Sequence, residues 1–165
     1  MSRIKNLKDL FTHHIKDLYH AETNLGNVAP ALQKAATSEG LKATIKKHGE
    51  MIERHKNNLE TITHELGEVP EGEVCHAMQG LIKETKMFLE EDCDADVRDA
   101  GIIADAQRIA HYFITGYGTL SQWSERLELS ADVQGKCKQA VADAEEIDAE
   151  LKGLAKSHIN EEAMA

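Results

Sequence analysis

Three histidines and one glutamate stand at spacings that place them inside a helical bundle. His48 and His55 are seven residues apart, two turns along one helical face, and His14 precedes Glu22 by eight. Imidazole and carboxylate groups converging from facing helices are the donors that hold iron, zinc or copper in a bundle core. The plainer outcome for the same residues is a hydrogen-bonded polar layer. An unpaired buried polar group costs on the order of several kcal/mol, so these side chains must be paired, hydrated or bound to something. No Glu-x-x-His pair strengthens the metal reading. In "EMIERH" Glu50 falls on the outer face, and Glu53 is too close to His55 to share a face with it.

The elements that must carry these residues follow from hydrophobic spacing. The first helix is expected from about Ile4 to Ala36, with Leu7, Phe11, His14, Leu18, Ala21 or Glu22, Leu25, Val28 and Leu32 inward. Pro30 lacks a backbone donor and marks a place where it can bend. Ser38 is placed to cap a second helix, about Glu39 to Leu66, that carries Leu41, Ile45, His48, Ile52, His55 and Leu59 and ends at Gly67 and Pro70. Residues 73–90 read as a shorter amphipathic helix. A third long helix is expected from about Asp96 to Tyr117, with continuation to Leu127. Ser130 is placed to cap the fourth, with Val133, Cys137, Val141, Ala144, Ile147 or Asp148, Leu151 and Leu154 inward. The tail from about residue 157 is expected to fray.

This is an all-α, single-domain chain. The 18-residue segment between the second and third long helices spans about 27 Å at 1.5 Å per residue, close to the length of a bundle. Such a crossover lets helices two and three run parallel, as in ferritin-like four-helix bundles.

Bulk properties narrow the function. The 165 residues suit one domain with a core able to fold alone. A net charge of −10, with acids spread along the chain, argues against nucleic acid or an anionic membrane as partner. No apolar run approaches the roughly 18 residues of a membrane span, and "MSRIKNLKDLF" lacks a signal-peptide pattern. Cys75, Cys93 and Cys137 form no CxxC and read as free thiols of a cytoplasmic protein. His13 and His20 flank the first inward face, and His64, His76 and His158 sit near helix ends. His111 is expected to bond a neighbour, Tyr19 and Tyr112 to hydrogen-bond in the core or at a dimer face, and Trp123 to pack on a helix end.

"DLYHAETNL", "CHAMQGLI" and, above all, "VRDAGIIADAQRIAHYFITGYGTL" resemble the YciE/YciF-type bacterial proteins, a ferritin-like family of unknown function. The likeness runs over roughly residues 4 to 156. It implies a cytoplasmic homodimer linked to stress responses, with a dinuclear iron site in the family pattern. Glu22 and His48 match that pattern, and His55 stands where Gln or His is often found. The departures are larger. The pattern has carboxylates at the positions of Met51, Ala110, often Phe113, and Ala144, the last beside an acidic residue that here is Asp143. His14 replaces an apolar residue.

Three readings follow. The first is a stress-associated binding or interaction protein, not an enzyme, with a degenerate site and no di-iron centre. The second is a single iron, zinc or copper ion on His14, Glu22, His48 and His55, with oxidase or peroxidase-like chemistry. The third is a small organic ligand or cofactor in a core pocket lined by Ala110, Phe113, Ala144 and Met51.

Overall fold

A computed structural model describes residues 4–164. Helix α1 spans Leu7–Ala35, α2 Glu39–Glu65, α3 His76–Leu89, α4 Ala95–Arg126 and α5 Ala131–Leu154. Helix α1 passes through Pro30 without ending. Helix α4 runs unbroken past Gly116 and Gly118 to Arg126, the expected continuation beyond Tyr117. Residues 157–164, expected to fray, continue the chain as a π-helical turn, Ala155–Ile159, and a last turn α6, Asn160–Glu162. Ile159 is buried against the bundle end and anchors them.

Contacts between helices fix the directions. Helices α1 and α2 run antiparallel, with Lys16 reaching Glu68 and Glu22 reaching His55. Helices α4 and α5 are antiparallel as well, pairing Gln107 with Asp148 and Glu125 with Lys138. Thr37 and Ser38 meet Asp99, while His14 meets Trp123, so α1 and α4 are antiparallel. Lys47 meets Glu150 and Arg54 meets Asp143, so α2 and α5 are too. It follows that α2 and α4 run parallel. The crossover that permits this is α3, which lies along α1 and α4 with Cys75 beside Tyr112 and Phe88 beside Gly101. This is the one-crossover ferritin-like bundle. A Cβ on Gly101 would run into the Phe88 ring, so glycine is what lets α3 lie this close to α4.

The ends are sealed by local chemistry. Asn6 accepts the Asp9 N–H at the start of α1, and Ser130 accepts the Val133 N–H at the start of α5. Ser38 occupies the cap position of α2 but its hydroxyl caps nothing. Asp99 of α4 takes that role from outside: its carboxylate accepts the Thr37 N–H, the Thr37 hydroxyl and the Ser38 N–H at 2.8, 2.8 and 2.6 Å. A carboxylate is the stronger acceptor, and here it also ties α4 to the α1–α2 turn. At the end of α2, Gly67 has φ 74°. Its N–H and that of Glu68 donate back to His64 and Thr63, a Schellman closure.

Candidate functional site

At mid-height the apolar core is interrupted by one polar layer. Glu22 comes from α1, Arg54 and His55 from α2, Tyr117 from α4, and Gln139 and Asp143 from α5. Glu22 is 1%, Asp143 4% and His55 5% exposed. The His55 ring lies between two carboxylates, Nδ1 at 2.9 Å from Glu22 Oε1 and Nε2 at 2.9 Å from Asp143 Oδ2. Tyr117 donates its hydroxyl to Glu22 Oε1 at 2.7 Å. Arg54 donates to Asp143 Oδ2 at 2.6 Å, and the Gln139 amide donates to Oδ1 at 2.9 Å.

A neutral imidazole has one donor and one acceptor, whereas the imidazolium has two donors. With a carboxylate oxygen at each nitrogen, the charged form is the one that satisfies both bonds. Burial by itself would push His55 toward neutrality. The hydrogen bonds and charges of Glu22 and Asp143 outweigh it and hold the ring above the ordinary imidazole pKa. Asp143 is likewise desolvated, yet Arg54, His55 and Gln139 pull its carboxyl below the usual carboxylate range. The layer thus holds two carboxylates against an imidazolium and a guanidinium, and its charges balance internally.

The sequence-predicted ligands do not all meet. Glu22 and His55 are in direct contact. His48 is half-buried one heptad along α2 and enters none of these hydrogen bonds. Burial and the charge of His55 push its pKa down to about 4, so it is neutral. His14 is elsewhere, packed edge-on against Trp123 with ring centroids 5.1 Å apart. Eight residues of helix put it about 12 Å along the axis from Glu22, too far to share a ligand. Burial lowers its pKa, an effect His13 adds to.

Ala110, Phe113, Ala144 and Met51 are all buried in the core. Phe113 stacks on Tyr117 with ring centroids 6.0 Å apart. The four cavities described, about 340 to 590 Å³, are lined by other residues at the surface.

Arg54, Tyr117 and Asp143 belong to the layer and are absent from the set predicted from sequence. Tyr117 carried a signal, since it falls on the inward face of α4. Asp143 sits beside Ala144, which takes the inward position by spacing, and its carboxyl reaches round to His55. Arg54 flanks His55 and is half exposed.

The family named domain of unknown function (DUF892) matches residues 6–164. The chain belongs to the DUF892 family. Protein YciF of Escherichia coli (strain K12) is 29% identical to it over 161 residues, 97% of this chain and 96% of that one. The crystal structure of the E. coli stress protein YciF matches with a TM-score of 0.90 at 30% identity, over 95% of this chain and 99% of that chain. YcfI from Rhodopseudomonas palustris matches with a TM-score of 0.87 at 32% identity, over 92% and 97%.

In this DUF892 chain the donor set can be compared with a dinuclear carboxylate site, which draws about four glutamates and two histidines from the four helices. Two carboxylates reach the layer, and each already answers a cation. Other buried acids are held apart: Asp99 on Thr37 and Ser38, Asp105 with Arg108, and Asp148 with Gln107 and Lys152. Among the described residues no three or more His, Cys, Asp or Glu side chains form a group arranged to hold a metal ion. The residues present do not fit a pair of iron ions.

Proposed function

We propose that this DUF892 protein is a stress-associated ferritin-like protein that works by binding or interaction, without a di-iron centre and without enzymatic turnover. The observation that carries the reading is the position of His55. Its imidazolium bridges Glu22 and Asp143 and, with Arg54, supplies the positive charge that a metal pair supplies to a carboxylate-rich bundle. The layer then stabilises one register of the four helices and leaves no open coordination position for oxygen chemistry. The stress association rests on the likeness to the E. coli stress protein YciF. A homodimer in the cytoplasm is part of the same proposal. Among the described residues no helix is long and apolar enough to cross a membrane.

Metal analysis of untagged protein, purified from iron-replete cells, is the test. The expected result is substoichiometric metal, unchanged by Glu22→Gln. Two irons per chain, lost in that variant, would overturn the reading. One observation favours a second reading, a single metal ion: Glu22 Oε2 is buried with no hydrogen-bond partner among the described residues, and neutral His48 lies on the neighbouring helix. One iron or zinc per chain, abolished by both Glu22→Gln and His48→Gln, would establish it instead. Light scattering tests the dimer.

A further inference from the structure

We propose that Tyr117, Phe113, Tyr112 and Cys75 form a line for one-electron oxidation, running from the Glu22–His55 layer along α4 to a thiol on the crossover. The rings follow one another without interruption. His55 lies edge-on to Tyr117 at 5.3 Å between centroids, Tyr117 stacks on Phe113 at 6.0 Å with an interplanar angle of 24°, and Phe113 meets Tyr112 at 5.6 Å. Each phenol donates to a carboxylate: Tyr117 to Glu22 at 2.7 Å and Tyr112 to Asp17 at 2.6 Å. Ring packing alone does not call for that choice of partner. Oxidising a phenol requires its proton to leave with the electron, and a hydrogen-bonded carboxylate is the base that receives it. Glu22 has spare capacity for this, since its Oε2 has no partner among the described residues.

Cys75 completes the line. A tyrosine has one hydroxyl proton, and that of Tyr112 points to Asp17. In the 2.9 Å contact between Cys75 Sγ and the Tyr112 oxygen the thiol is therefore the donor. Cys75 is buried at 1% exposure and is shielded from direct attack, while Tyr112 is half-buried and reaches the surface.

The steps balance as follows. An oxygen-centred radical or an outer-sphere one-electron oxidant in solution takes one electron from Tyr112 and is reduced. The phenolic O–H breaks, and its proton passes to Asp17 Oδ2, leaving a neutral tyrosyl radical. The Cys75 S–H then gives up a hydrogen atom, re-forming the Tyr112 O–H and leaving a sulfur radical. In the other branch Tyr117 passes an electron through Phe113 to Tyr112. The Tyr117 proton moves to Glu22, and Asp17 returns its proton to Tyr112.

Photogenerated ruthenium(III) tris-bipyridine, with a cobalt(III) pentaammine acceptor, supplies the oxidant to the intact protein. Radicals are read by freeze-quench electron paramagnetic resonance, and dissolved oxygen, small enough to enter a protein core, adds to sulfur radicals and marks them for mass-spectrometric mapping. The wild type is expected to show a tyrosyl radical and an oxygen adduct on Cys75. Tyr112→Phe should lose the Cys75 adduct while any adduct on the more exposed Cys93 stays, an internal control for oxidant dose. Phe113→Leu should keep the Cys75 adduct and lose the part of the tyrosyl signal that Tyr117→Phe also removes. Asp17→Asn keeps a partner for the hydroxyl but is a far weaker base, and should slow formation of the Tyr112 radical. Circular dichroism and urea midpoints show that each variant is folded. An undiminished Cys75 adduct in Tyr112→Phe, a Tyr117 signal that survives Phe113→Leu, or no protein radical in the wild type would overturn the proposal.

Discussion

Glu22 and Asp143, carried by helices that do not adjoin in sequence, are held on opposite nitrogens of one imidazole at 2.9 Å each. That arrangement makes His55 the keystone of the polar layer. Removing it leaves buried Glu22 with no cation beside it and buried Asp143 with only the half-exposed Arg54 guanidinium. Breaking a buried ion pair from one side costs about 3–5 kcal/mol, so His55→Leu should lower the urea unfolding free energy by that order. Replacing the whole trio with apolar residues, as Glu22→Met, His55→Leu and Asp143→Leu together, should recover most of the loss. Were the triple variant as unstable as the single one, the cost would lie in packing and not in the stranded charges.

His48 and His55, both on α2, impose opposite pH trends. His48 has its pKa pushed down to about 4, against about 6.5 in an unfolded chain. Between those values the unfolded state binds the extra proton, so stability rises with pH. His55 is shifted upward. Its contribution is complete below about pH 6.5 and is lost as pH climbs through the raised folded value, because there the folded state holds the extra proton. Stability should therefore peak near neutrality. Urea midpoints across pH 4 to 9 would check this, at about constant ionic strength. His48→Gln is expected to flatten the acid side and His55→Gln the alkaline side; an unchanged profile in either variant would contradict the assignment.

Most of the architecture was legible from spacing. The 3–4 rhythm of apolar residues located every long helix, because a helix that buries one face must repeat its apolar residues at that interval. The length of the segment 73–90 led to the parallel α2 and α4. Glu22 and His55 were legible for the same reason, as polar residues on or beside an inward face. What the pattern did not carry was reach. Asp143 sits one position off the inward face, and only the closeness of α5 to α2 lets its carboxyl touch His55. His14 lies on the right face at the wrong height, a distinction that periodicity cannot make. Asp99 gave no local signal, because the turn it caps is 61 or 62 residues away in sequence.

That long-range cap supports a prediction of its own. Asp99 is buried and accepts three hydrogen bonds from Thr37 and Ser38. Asp99→Ala takes the acceptor from two amides at a helix start. Thr37 is exposed and Ser38 half-buried, so water replaces part of it and the cost is about 0.5–2 kcal/mol, that of a lost N-cap. Hydrogen exchange should show faster exchange at Thr37 and Ser38, with the His55 layer unaffected. Asp99→Asn, which keeps two acceptor lone pairs, should lose less.

The end of α4 repeats the closure seen at the end of α2, but with the wrong residue for it. Glu128 has φ 50°, the only non-glycine residue with positive φ among those described. Its N–H donates to the Glu125 carbonyl at 3.1 Å, and the Leu129 N–H donates to Ser124 at 3.0 Å, the bond pair of a Schellman motif. The left-handed conformation costs an L-residue with a side chain about 1–2 kcal/mol, and glycine pays none of it. Against this, glycine loses more chain entropy on folding, roughly 0.5–1 kcal/mol. The strain is the larger quantity, so Glu128→Gly should raise unfolding free energy by about 0.5–1 kcal/mol. Glu128→Val should lower it, because a β-branched residue fits this region worst. Thermal or urea melts of the two variants beside the wild type provide the measurement. If glycine destabilised the protein, strain at this turn would be smaller than the entropy it saves, and the α4–α5 connection would be held by the Leu129 contact instead.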